Sequence, residues 1–456
     1  MRKADKQIRI CFWCFVFFLL TEGIFRRWLL PGMSNIFLVA KDPFVIYAVL
    51  LGLNRGYVRN TNAQVMLLLS VISFLFAMTI GHGVLFVALF GARILWYFPF
   101  IYVCAKVLTR DDILLLGKIL IFMFIPMVLI TMIQFLSPTS FFSRTVGGGM
   151  MEVDTYDQAV QRPPGIFTYT PALTDYYGIT YSFLLYFLLS EKDAKRMKLK
   201  RWFLFVCLAF YVISIPISVS RTHFFQTCLI SCALLYFFRN NSKVTKRLLR
   251  IAVLILILSP ILLSMPSMQT FVGKFTDRFT SANKSEGGAV TTIYNRVFFN
   301  NVSVLTRAPV FGYGTGSFTN VGKTYLYGKA RGVGANLDEV SSIAGTTESE
   351  WGRVLAEEGV LLGFFILLFR VIIGLSILLQ ALRYANRTRD FLPWLLAPLS
   401  CEMILFVQTS LGYHVGFMAM GAIAALAAIK RPRPMLVWRP YPTAHEPGPQ
   451  PARGIA

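Results

Sequence analysis

The chain has 456 residues, of which 55% are hydrophobic, 15% aromatic and only 15% charged, with a formal net charge of +23. That balance excludes an ordinary soluble globular domain and fits a polytopic helical membrane protein. It does not indicate nucleic acid, because the basic residues cluster in short stretches between apolar segments, as at 192–201 and 239–250. The seven cysteines all fall within apolar segments, so neither a disulfide framework nor an aqueous zinc site is indicated.

The N-terminus carries Arg2, Lys3 and an apolar run but no small-residue cleavage site, and reads as an uncleaved first span. Stretches long enough to cross a bilayer follow in order at 9–26, 35–53, 64–80, 84–108, 113–136, 171–190, 202–219, 223–238, 249–265, 353–378, 391–410 and 413–430. Most of the Lys and Arg then fall on one side, which places both termini in the cytoplasm and the loops 137–170 and 266–352 outside. The expected fold is an all-α integral membrane protein of about twelve transmembrane helices, one polytopic domain over 1–430, with a large outer loop holding short amphipathic helices. The Pro-rich stretch 431–456 lacks apolar periodicity and reads as a disordered cytoplasmic tail. Glu22, Lys41, Asp42, Arg93 and Glu402 lie within spans and should face one another or a wet cavity, whereas Lys118 and Arg370 should snorkel at cytoplasmic ends.

The outer loops concentrate the candidate chemistry. Phe271, Phe275 and Phe279 recur at helical spacing, as do Tyr294, Phe298, Val302 and Leu305 before Pro309, and their aromatics suit packing at the bilayer surface. Arg162 precedes Pro163-Pro164-Gly165-Ile166-Phe167, Arg221 follows Ser220 at a tight turn, and Arg296 opens the second amphipathic helix. Converging guanidinium forks make a pyrophosphate site; singly, each arginine pairs or snorkels. Gly312, Gly314 and Gly316 lack the Lys-Ser or Lys-Thr of a nucleotide loop, so tight turning or close backbone approach to a ligand is the better account. Glu348 and Glu350 precede Trp351, where a carboxylate can act as general base toward a sugar hydroxyl or simply favour a helix N-terminus. His82, His223 and His414 all fall at the outer face without metal-ligand spacing. His223 therefore joins Arg162, the three glycines and Glu350 as a candidate substrate contact.

The order and sidedness of these pieces resemble the bacterial O-antigen ligase and O-antigen polymerase superfamily of membrane glycosyltransferases. The resemblance runs from Arg162-Pro163-Pro164-Gly165-Ile166-Phe167 through Ser220-Arg221, Arg296 and 309–318 to Leu355-Ala356-Glu357-Glu358-Gly359-Val360-Leu361-Leu362-Gly363. Ligases of the superfamily show His-Asn eleven residues before the glycine that Gly359 matches; Glu348 stands there, which favours a polymerase. The segment 22–28, Glu-Gly-Ile-Phe-Arg-Arg-Trp, followed by Lys41-Asp42-Pro43, is similar to members from exopolysaccharide clusters. The resemblance implies a metal- and cofactor-independent inverting transferase on the periplasmic face of a bacterial inner membrane. Its donor would be an undecaprenyl-pyrophosphate-linked glycan and its acceptor a sugar hydroxyl of a second lipid-linked repeat. A chain-length regulator and a flippase would be its partners. Arg221 and Arg296 would stabilise the leaving pyrophosphate, with Arg162 assisting, and Glu348 would act on the acceptor. The alternatives are a ligase acting on lipid A core or protein, and, from another class, a lipid-linked glycan flippase. Against the flippase stand the long outer loop and the lack of an internal repeat.

Overall fold

The computed structural model describes residues 3–137, 140–146, 162–239, 300–322 and 349–429, with parts of 269–280 and 325–326. Among these residues helix is the only extended regular structure. In chain order the helices are α1 (Lys3–Ile24), α2 (Asp42–Asn54), α3 (Thr61–Thr79), α4 (Leu85–Ala92), α5 (Tyr97–Val107), α6 (Arg110–Leu136) and α7 (Thr170–Leu189). They continue as α8 (Arg201–Ile217), α9 (Arg221–Phe238), α10 (Asn300–Arg307), α11 (Glu350–Thr388), α12 (Leu392–Phe406) and α13 (Gly412–Ala428). Among the described residues six helical stretches are long and apolar enough to cross a membrane: Lys3–Leu29, Pro31–Asn54, Thr61–Thr79, Leu85–Val107, Arg110–Leu136 and Glu350–Thr388. The expected spans 171–190, 202–219, 223–238, 391–410 and 413–430 are helical as well, as α7, α8, α9, α12 and α13. The segments 249–265 and 431–456 lie outside the described residues.

Local chemistry sets the boundaries. Asp42-Pro43 restarts the second span, because proline has no N–H to extend the preceding turn. Thr109 and Asp112 form a reciprocal capping box at the start of α6, and the hydroxyls of Ser220 and Ser349 cap α9 and α11. Every residue of α13 is buried. Its glycines and alanines let neighbours close in: a Cβ on Gly416 would lie 2.5 Å from Leu19. This helix is the axis of the bundle, with α1, α5, α6, α7, α11 and α12 around it.

The intramembrane charges do face one another. Glu22 accepts from Lys41 at 2.6 Å and from Arg26 at 2.8 Å, and Asp42 accepts from Arg93 at 2.5 Å and from the Tyr97 hydroxyl at 2.6 Å. At one end of the bundle Arg110 gathers Asp390, Asp193, the Tyr186 hydroxyl and the Ala428 carbonyl. That cluster fixes the C-termini of α7 and α13 beside the start of α12.

Two expectations need correction. Arg370 does not snorkel; it is buried and paired with Glu350, and its Nε donates to the Ile404 carbonyl at 2.8 Å. Nor is the span 353–378 one straight rod. Glu350 and Arg370 are twenty residues apart in sequence, which a straight helix would hold about 30 Å apart. Gly359, at φ 74° and ψ −179°, breaks α11 and folds 350–358 back beside 360–388. Only glycine adopts that backbone freely. Among the expected surface helices, Phe271 packs on Phe135 with ring centroids 4.5 Å apart, consistent with a packing role for these aromatics, and 300–307 is helical.

Candidate functional site

A break within a helix strands carbonyls on one side and N–H groups on the other. Here the glycine-rich turn satisfies them. Tyr313 N donates to the Ala356 carbonyl at 2.9 Å, Gly314 N to the Glu357 carbonyl at 2.8 Å, and Val360 N to the Val310 carbonyl at 3.0 Å. The fit leaves no room for side chains. A Cβ on Gly312 would lie 2.4 Å from the Glu357 carbonyl, and one on Gly316 would lie 2.4 Å from the Val87 carbonyl. Of the two roles expected for Gly312, Gly314 and Gly316, tight turning is the one seen, at φ 71°, 93° and 86°, and what they approach closely is protein.

The capped hairpin positions a buried ionic ladder. Arg353 bridges Glu350, at 2.8 Å, and Glu357, while Glu350 also receives Arg370 and the Thr409 amide at 3.1 Å. Phe318 N donates to Glu357 at 2.9 Å, tying the glycine-rich turn to the same ladder. Glu350 is therefore more than a helix-start carboxylate: it is 1% exposed and neutralised by two arginines.

Glu350 also lines a cavity of about 710 Å³. Its wall draws on Arg162, on Thr170 and Thr174 from the first turns of α7, on Ser220 and Thr222 around the start of α9, and on Ser349 and Trp351 at the start of α11. Asp175, Glu402, Gln408 and His414 complete the polar lining. The N-termini of α7, α9, α11 and α13 thus converge on one space. Unpaired N–H groups and aligned dipoles at such ends favour an anion. The Arg110 cluster lies at the other ends of α7 and α13. These helices have 20 and 17 residues, so the cavity stands about 25–30 Å from that cluster, close to a bilayer's hydrocarbon thickness.

Arg162 reaches the cavity on a loop held from behind. Gln134 pairs with both the N–H and the C=O of Gly165, at 2.9 and 2.7 Å, and Thr170 Oγ1 donates to the Arg162 carbonyl at 3.0 Å. Gly165 has φ +62°, the left-handed turn this loop requires.

Arg221 is half-buried as the first residue of α9, flanked by the lining residues Ser220 and Thr222. Glu348 and Arg296 lie outside the described residues; the residue that follows Glu348, Ser349, lines the cavity. His223 does not serve as a substrate contact in this geometry. Its ring is buried, with Nε2 3.1 Å from the Tyr211 hydroxyl and Nδ1 3.1 Å from Ser218 Oγ. His82 is likewise engaged, its Nε2 3.1 Å from the Thr315 carbonyl.

The structure adds Asp175 to His414 and Glu402, which the sequence places at the outer face and within a span. Asp175 and His414, 239 residues apart, meet at 2.5 Å, and Glu402 accepts from Gln226 at 3.3 Å. The signal for Asp175 is an acid in the first turns of an apolar run, four residues after Pro171. Compared with protein-family models, curated proteins and solved structures, the chain matches none.

Proposed function

We propose that this protein is a bacterial inner-membrane glycan polymerase. It transfers an undecaprenyl-pyrophosphate-linked oligosaccharide to a sugar hydroxyl of a second lipid-linked repeat, with inversion and without a metal. The reading takes twelve spans, cytoplasmic termini and a periplasmic cavity as its frame. The observation that carries it is the cavity where Arg162 and the N-termini of α7, α9, α11 and α13 meet Asp175, Glu402 and His414.

Chemically, such a site has two halves. Helix ends and arginine stabilise the charge that gathers on a departing pyrophosphate, a role that fixed donors fill without a metal. Carboxylate and imidazole groups can accept the acceptor's proton. Arg221 and Arg296 join the anion side in this proposal, and Glu348, one residue before the lining Ser349, the acceptor side. The apolar bundle around the cavity suits the polyprenyl tail, which enters laterally between helices.

Deletion from the host is the direct test. Loss of a polymerase leaves single lipid-linked repeats and no long polymer; loss of a ligase leaves full-length polymer stranded on its carrier. Alkaline phosphatase fused after Lys323 should be active and fused after Lys198 inactive. The opposite pattern would put the cavity on the cytoplasmic side and end the donor argument.

A further inference from the structure

Resting on that reading, we infer that His414 is a catalytic base of the transfer and Asp175 the residue that positions it. Asp175 Oδ2 lies 2.5 Å from His414 Nδ1. An ionised carboxylate only accepts, so Nδ1 carries the hydrogen, and in the neutral imidazole Nε2 keeps its lone pair. Nε2 has no hydrogen-bond partner among the described residues, and His414 and Asp175 both line the cavity. The pair is built into the bundle rather than draped on it. Asp175 belongs to α7 and His414 to α13, both helices packed on all sides, and the two residues are 1% and 7% exposed. A nucleophile or hydroxyl, a base and an orienting acid is the general arrangement for activating a weak nucleophile.

One further feature points to a ligand. Asp175 Oδ1, on a residue that lines the cavity, is a buried oxygen without a hydrogen-bond donor among the described residues. Such an atom is destabilising when left unpaired, and in the proposal a hydroxyl of the bound acceptor pairs with it once the substrate displaces the side chains that cover it. A purely structural α7–α13 clasp accounts for the Oδ2 contact but not for the unpaired Oδ1 of the same carboxylate.

The step balances with protein groups alone. The acceptor hydroxyl gives its proton to His414 Nε2 as its oxygen forms the bond to the anomeric carbon. The bond from that carbon to the pyrophosphate oxygen breaks, and its electron pair leaves on the pyrophosphate, beside Arg162. The imidazolium, steadied by Asp175, then releases its proton to water. Glu350 is unsuited to this task because Arg353 and Arg370 already occupy it.

The test uses full-length protein in membranes, with the lipid-linked saccharide that accumulates in the deletion host as substrate. His414→Ala should lower kcat about 10²–10⁴-fold, with KM nearly unchanged, and added imidazole should restore part of the lost rate. Asp175→Asn should also lower kcat, without rescue by imidazole. Wild-type kcat in His414→Ala, or a loss that imidazole leaves untouched, overturns the assignment while the polymerase reading stands. If the wild-type protein forms no glycosidic bond from this substrate, both fall together. Should the variants not accumulate, wild-type protein is treated with diethylpyrocarbonate and mapped by mass spectrometry. Inactivation should track modification of His414 and be slowed by substrate; His414 modified with activity intact overturns the proposal.

Discussion

Arg27 donates to the Gly165 carbonyl at 2.9 Å, joining the end of the first span to the loop that carries Arg162. The same guanidinium holds the carbonyls of Phe167 at 2.8 Å, Phe142 at 2.8 Å and Arg144 at 2.6 Å. A planar, always-charged fork can serve several acceptors at once, and a lysine ammonium reaches fewer. Two sequence motifs that look independent, 22–28 and 162–167, are therefore one structural unit. Gly23 seals it, since a Cβ there would lie 2.1 Å from the Ile166 carbonyl.

Arg27→Ala should destabilise the protein by at least one charged hydrogen bond, about 1.5–3 kcal/mol, and reduce transfer with it. Arg27→Lys should recover only part of each. Thermal unfolding in detergent, followed by the monodisperse fraction, measures the first effect. A variant that melts like wild type would show the loop to be held without Arg27.

Glycine substitutions should separate the helix break from ordinary loop positions. Gly359→Ala forces a side chain into a backbone region that costs about 1–3 kcal/mol, and its Cβ would lie 2.1 Å from the Val310 carbonyl. Gly312→Ala should be comparably damaging. Gly32→Ala, with nothing within 4 Å of its Cβ, should be neutral. Equal melting temperatures for all three would contradict the capped hairpin.

Glu350→Gln should be strongly destabilising, because it leaves Arg353 and Arg370 buried with diminished compensation. Breaking a buried pair typically costs about 3–5 kcal/mol. The expected result is a large drop in protein recovered from membranes, or in its unfolding midpoint. A mild effect would return Glu350 to a simple helix-start role.

Arg162→Ala, Arg221→Ala and Arg296→Ala should each lower transfer, while protein abundance in the membrane holds. Removal of one donor at a developing anion costs about 2.7–4 kcal/mol, or roughly 10²–10³ in rate. Lysine should rescue partly. Undiminished product from any of the alanine variants would remove that arginine from the anion side.

His82 gives a pH signature outside the spans. Burial lowers its pKa, against a smaller opposing effect of the Thr315 carbonyl. The folded protein therefore binds the proton less readily than the unfolded chain. Stability from this group is present above the unfolded value, about 6.5, and is lost as pH falls below it. Melting temperature should fall between pH 7.5 and 5.5, and His82→Asn should flatten that dependence. An identical slope in the variant would assign it elsewhere.

Helices were legible because apolar length is a strong signal, and every expected span within the described residues is helical. The break at Gly359 was not, since Val360-Leu361-Leu362-Gly363 continues the apolar run without proline or charge. What decides it is a partner far upstream in sequence, the 310–314 backbone, which no local pattern encodes. Arg162 and Glu350 were readable as cavity residues from their polar settings beside spans. His223 misled because a histidine at a helix start looks the same whether it meets solvent or, as here, Tyr211 and Ser218. The Asp175–His414 pair was hidden by a separation of 239 residues.

The cap on the broken helix also fixes the segments 318–322 and 349–352. Upstream, Phe318 is anchored on Glu357 and Gly322 N on Thr319 Oγ1 at 3.0 Å; downstream, Ser349 is fixed by capping Gly352 at 3.0 Å. Both segments are thus tied to the membrane bundle by bonds among the described residues. The backbone on either side, at 318–322 and at 349–352, therefore moves only with α11, the helix that carries Glu350 of the cavity wall.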